Sequence, residues 1–151
     1  MVNPHTSQLP AFLTTTPGLC SGFMIPHCTA AALISENKVY CHPASIDSIP
    51  TSGGQEDHVS MGGFAARKAL KVVANIERVL AIELLAACQA IDLLAPYKPT
   101  EKIQKIHARV REVCSFRAEE LPFTEDIERL AVLIRAGELL TLTLAGEPSE
   151  I

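Results

Sequence analysis

The chain has 151 residues, 48% of them hydrophobic and 20% charged, a balance that is globular rather than disordered and sufficient for one domain with a real core. A net charge of −4 leaves no basic footprint for nucleic acid. Glu83 and Gln89 interrupt the most apolar run, so no segment reads as a bilayer span, and Met1-Val2-Asn3-Pro4-His5-Thr6-Ser7 lacks the basic start and apolar core of a signal peptide.

Residues 1–59 form an irregular part that holds most of the prolines. Within it, Ser21 can cap a helix from about Gly22 to Asn37, whose Phe23, Ile25, Ala30, Ala31, Leu33 and Ile34 are too dense for an open surface. Pro26 falls in the early turns, where it deletes at most one hydrogen bond. Lys38 to Thr51, with Pro43 and Pro50, neither alternates nor repeats and reads as an extended loop.

Residues 60–95 are expected to form a long central helix, from about Ser60 to Leu94, because nothing breaks the segment after Gly62 and Gly63. Arg67, Lys71, Asn75 and Arg78 make a polar stripe on its first half. Val79 to Ile91 is apolar nearly all round, which predicts burial on every side. Such a helix is about 52 Å long, whereas a compact domain of this size is about 38 Å across, so partners are expected to cover it.

Residues 96–151 are expected to be peripheral. Thr100 caps a helix with Ile103, Ile106, Val110 and Val113 inward, beside which His107 reads as a satisfied packing histidine. Thr124 opens another helix, with Ile127, Leu130, Ala131 and Ile134 inward and Gly137 as its stop.

Cys20, Cys28, Cys41, Cys88 and Cys114 are odd in number and contain no C-x-x-C pair, which argues for reduced thiols and a cytoplasmic location. Cys20, His27, Cys28, Cys41 and His42 lack the paired spacing of a zinc site, so no metal is expected. The chemistry concentrates instead in Ser52-Gly53-Gly54-Gln55-Glu56-Asp57-His58-Val59-Ser60-Met61-Gly62, where titratable groups precede the long helix. Ser52 with Gln55 fits a capping box, and Glu56 and Asp57 suit the positive end of that helix.

Several blocks, in order, carry a resemblance to one family. They are Leu9-Pro10-Ala11-Phe12-Leu13, Gly18-Leu19-Cys20-Ser21-Gly22-Phe23-Met24-Ile25, Thr29 to Lys38, His42 to Ser52, Gln55 to Gly62, Leu80 to Gln89, and Asp126-Ile127-Glu128 through Leu140. The chain resembles the aromatic amino-acid ammonia-lyases, and among them the histidine ammonia-lyases, over their C-terminal portion only. The resemblance implies an all-α fold: a long central helix of an ammonia-lyase-type bundle, shorter satellite helices and an irregular Pro/Gly-rich N-terminal part. It also implies a homo-oligomer, a missing N-terminal portion as partner, and L-histidine converted to urocanate and ammonia, with no nucleic acid and no membrane.

On the same resemblance, Glu56 matches the active-site glutamate that faces the substrate imidazole and is the catalytic candidate. A carboxylate there accepts an imidazole N–H and stabilises the charged ring, where a neutral amide suits an uncharged one. Phe23 matches an aromatic residue that binds substrate or packs beside the electrophile; by pattern alone it is a core aromatic. The family's electrophile, a methylidene-imidazolone, forms from an Ala-Ser-Gly tripeptide that this chain lacks. Thr51-Ser52-Gly53 is a superficial lookalike, and the chain alone is expected to be inactive. Cys20, Pro26-His27 and Gly53-Gly54 depart from the family pattern near the expected site. The alternative is a non-enzymatic helical oligomerisation remnant of such a lyase.

Overall fold

The computed structural model describes residues 2–44, 46 and 48–144. Ser45 and Asp47 of the His42-to-Ser52 block, Met1 of the N-terminal segment and the end of the 96–151 segment lie outside them. Among the described residues five α-helices follow in order: α1 (Met24–Tyr40), α2 (Gly62–Leu93), α3 (Glu101–Val113), α4 (Thr124–Arg135) and α5 (Glu138–Leu144). The fold is all-α, with α2 as its long helix, 32 residues or about 48 Å. Among the described residues the only β pairing is two isolated bridges.

Several local expectations change. α1 starts at Met24, whose amide donates to the Ser21 carbonyl at 3.1 Å, and it runs through Lys38 to Tyr40. The predicted loop is therefore shorter. Lys38 suits the negative end of the helix, and no proline intervenes until Pro43. Thr100 does not cap with its side chain: it precedes α3 and accepts the Gln104 amide on its carbonyl at 2.9 Å; Thr124 does open α4, as its first residue. Gly137 does stop α4, at φ +72°, and its amide donates to Ile134 at 3.0 Å.

Two compact units divide the chain, Met1–Ala30 with Glu77–Ile151, and Ala31–Ile76. In the first, the core gathers Leu13, Phe23, Ala81, Leu85, Cys88, Val110, Cys114 and Leu130. On the α3 face Val110 is fully buried and Ile106 and Val113 pack against the core as predicted, whereas Ile103 is exposed. On α2, Ala81, Ile82, Leu85, Ala86, Cys88, Gln89 and Ala90 are buried, whereas Leu80 and Glu83 are exposed. Within this chain the surrounding helices cover one side of that span, and the other side is left to whatever packs on it.

Ion pairs tie these helices together. His107 Nε2 lies 2.7 Å from Asp92 Oδ1, and Arg111 Nε donates to Asp92 Oδ2 at 2.8 Å, which joins α3 to the end of α2. His107 is thus the satisfied packing residue expected. Arg78 Nε donates to Glu128 at 2.7 Å and Arg135 Nε to Glu77 at 3.0 Å, linking α2 to α4. The Arg135 hydrogen bond holds the Glu77 carboxyl below its ordinary 4.5.

In the second unit, the end of α1 meets the start of α2 through a polar clasp. Asn75 Nδ2 donates to Glu36 at 2.7 Å and to Asn37 Oδ1 at 2.9 Å, and the Tyr40 hydroxyl donates to Glu36 at 3.0 Å. Asn75 is accordingly buried and leaves the predicted polar stripe. Arg67 and Lys71 of that stripe stay exposed, and so do the apolar Phe64, Leu70, Val73 and Ile76.

Candidate functional site

Glu56 stands on a hairpin in the second unit. The Thr51 amide donates to the Glu56 carbonyl at 2.9 Å and the Glu56 amide to the Thr51 carbonyl at 3.3 Å, a reciprocal antiparallel rung. Between them, Ser52, Gly53 and Gly54 turn through left-handed backbone at φ +56°, +68° and +88°. The two glycines adopt that conformation without steric cost, which gives the Gly53-Gly54 departure a local reason.

The same turn rules out the capping box. Three left-handed residues cannot lead into a right-handed helix, and α2 begins only at Gly62, whose amide donates to Ser60 Oγ at 3.3 Å. Its first turn holds no acid, so Glu56 and Asp57 are not dipole-matched caps. Glu56 is exposed, and among the described residues its carboxylate makes no hydrogen bond or ion pair. A carboxylate fixed through its backbone and free at its head can accept a donor from a ligand.

Phe23 occupies the first unit. Its amide donates to the Phe12 carbonyl at 2.8 Å, and its ring lies 4.7 Å from that of Phe123, tilted by 59°. It is buried and also lines an open apolar groove of about 270 Å³ with Val2, His27, Ala30, Ile82 and Glu83. The sequence foresaw the buried aromatic but not its neighbours. Phe12 and Leu13 are both left-handed, at φ +53° and +54°, and Gly22 fits beneath them at φ +51°. A Cβ on Gly22 would lie 2.5 Å from the Phe12 carbonyl oxygen.

Gln89 is the residue that sequence reasoning missed. Buried on α2, it donates from Nε2 to the Leu13 carbonyl at 3.2 Å and to the Arg117 carbonyl at 2.8 Å, and accepts the Arg117 amide on Oε1 at 3.1 Å. One polar side chain inside an apolar helical run was the available signal, because a buried amide requires partners. Among the described residues no group of three or more His, Cys, Asp or Glu side chains converges as a metal site would, and no helix is long and apolar enough to cross a membrane.

Comparison with known proteins places this geometry in a family. Residues 1–112 match the model described as aromatic amino acid lyase. Histidine ammonia-lyase of Bos taurus is 57% identical over 128 residues, 85% of this chain and 20% of that protein. Histidine ammonia-lyase of Anaeromyxobacter sp. (strain K) is 54% identical over 139 residues, 92% of this chain and 27% of that protein. The crystal structure of histidine ammonia-lyase from Trypanosoma cruzi superposes with a TM-score of 0.93 at 57% identity, covering 99% of this chain and 29% of that one. A tyrosine aminomutase from Streptomyces globisporus, at 35% identity, reaches 0.88 over 99% of this chain and 29% of its own. The chain spans a fifth to somewhat over a quarter of the length of these relatives. It belongs to the aromatic amino acid lyase family.

Proposed function

We propose that this chain supplies the imidazole-recognising carboxylate of a histidine ammonia-lyase-like carbon–nitrogen lyase, which eliminates ammonia from L-histidine to give urocanate. The observation that carries this reading is Glu56: exposed, without a side-chain partner among the described residues, and set on a hairpin whose two ends bond each other. Its part is binding and orientation, because an ionised carboxylate accepts an imidazole N–H and favours the protonated ring. Phe23 is proposed as an apolar wall that packs against substrate or electrophile from the groove it lines.

The residues present do not fit formation of the family's methylidene-imidazolone. No Ala-Ser-Gly occurs here, and Ser52-Gly53 is engaged in the hairpin turn. No step of the elimination is therefore assigned to that group in this chain. The exposed row of Leu70, Val73, Ile76 and Leu80 on α2 supports association with further helices, from a second copy or from the rest of a longer lyase. The same row favours the second reading, an oligomerisation remnant without chemistry. A cytoplasmic location accords with the five free cysteines.

The test replaces the matching 139-residue segment of the Anaeromyxobacter relative with this chain and follows urocanate by its ultraviolet absorbance. Product is expected from the hybrid and none from the chain alone. Glu56→Gln should lower the preference for histidine over phenylalanine and tyrosine by roughly ten- to a hundredfold, the worth of one charge-assisted bond. A folded hybrid that makes no urocanate selects the remnant.

A further inference from the structure

Ser48 and Val59 meet across the base of the Glu56 hairpin. The Val59 amide donates to Ser48 Oγ at 2.8 Å, and the same hydroxyl donates back to the Val59 carbonyl at 3.3 Å. Three residues further in on each side lies the Thr51–Glu56 rung. The two contacts share one antiparallel register, since 48 with 59 and 51 with 56 have the same sum. In a regular ladder the next hydrogen-bonded pair after 51 and 56 would be 49 with 58. Among the described residues no backbone bond joins Ile49 to His58, and Pro50, with no N–H, interrupts the strand beside it. The Ser48 side chain closes the hairpin in place of that rung. A hydroxyl can do so because it donates and accepts at once, as a backbone peptide pair does.

We propose that the Ser48 hydroxyl is the positioning group for Glu56, acting through Val59 to hold the carboxylate-bearing hairpin in one register. The inference rests on the reading of Glu56 as the imidazole partner. Ser48 touches no substrate in this role. The base of the hairpin is also tied to α2 on either flank, by Lys68, whose ammonium donates to the His42 carbonyl, and by the Ser60 hydroxyl at Gly62. With His42 and Gly62 anchored, slack at Ser48 would appear in the segment between these anchors, which contains Glu56.

Amide hydrogen exchange on the full chain tests the grip. Ser48→Ala should speed exchange of the Val59 amide by roughly tenfold, the change that one net hydrogen bond supports, and speed Thr51 and Glu56 with it while the α1 and α2 amides keep their rates. Ser48→Thr, which retains a hydroxyl, should restore protection. Unchanged exchange in Ser48→Ala, or no rescue by threonine, overturns the proposal. The second measurement uses the hybrid lyase. Ser48→Ala should lower the histidine-to-phenylalanine ratio of kcat/KM toward the Glu56→Gln value, and the double variant should fall no further, because both act through one carboxylate. Additive losses overturn the positioning role. A ratio unmoved by Glu56→Gln itself overturns the imidazole reading, and with it the specificity role of Ser48, while the exchange result still decides separately whether Ser48 holds the hairpin.

Discussion

Gln89 and Arg117 form a reciprocal pair in which one side-chain amide satisfies both backbone groups of an arginine. Nε2 donates to the Arg117 carbonyl at 2.8 Å, and the Arg117 amide donates to Oε1 at 3.1 Å. The same Nε2 reaches the Leu13 carbonyl at 3.2 Å, so the irregular N-terminal turn and the segment after α3 are held by one residue of α2. Two irregular segments without regular ladders of their own would otherwise leave buried peptide groups unpaired.

Gln89→Leu keeps the volume and removes all three bonds. Each orphaned buried group costs about 1–3 kcal/mol, so a loss of at least about 2 kcal/mol is expected. The urea midpoint of the purified chain measures it. A change below about 0.5 kcal/mol would show that water replaces the amide without penalty.

Gly22 and Gly53 separate two costs of adding a side chain. Both are left-handed, at φ +51° and +68°, but a Cβ on Gly22 meets the Phe12 carbonyl oxygen at 2.5 Å while one on Gly53 meets nothing within 4 Å. Gly53→Ala should cost about 1–2 kcal/mol, the left-handed penalty alone. Gly22→Ala should cost clearly more, because the Phe12 carbonyl must move and the Phe23 amide bonds it. Equal thermal shifts in the two variants would remove the steric argument.

Four of the five thiols should divide by burial. Desolvation pushes Cys88 and Cys114 up to about 11, so both remain protonated and silent to iodoacetamide at pH 8, whereas exposed Cys28 and Cys41 react. The linkage has a definite sign. Between the ordinary thiol value of 9.0 and about 11 the folded state binds more protons than the unfolded, so stability falls as pH rises through that window. Replacing both with alanine should flatten this alkaline limb in pH-dependent urea titrations. Prompt labelling of Cys88 in the native chain would contradict the prediction.

Periodicity and breakers alone located α2, α3 and α4, whereas the ends of α1 and the short α5 after Gly137 were not read from them. α2 needs no tertiary information, because Gly62 to Leu93 lacks proline and has no glycine beyond its first two residues, and the Ile127, Leu130, Ala131 and Ile134 spacing marks α4. The blocks from Leu9 to Leu140 likewise made the family legible, since residue identity in order needs no coordinates. The surroundings of Glu56 were not legible. Its hairpin depends on the Thr51 rung and on a Ser48 hydroxyl whose partner lies eleven residues away, and local capping rules read the same acids as the start of a helix. Gln89 appeared in the sequence only as an interruption of an apolar run. Only the tertiary structure decided what it holds, because a buried amide is defined by the distant peptide groups it satisfies, and chain order does not encode which groups those are.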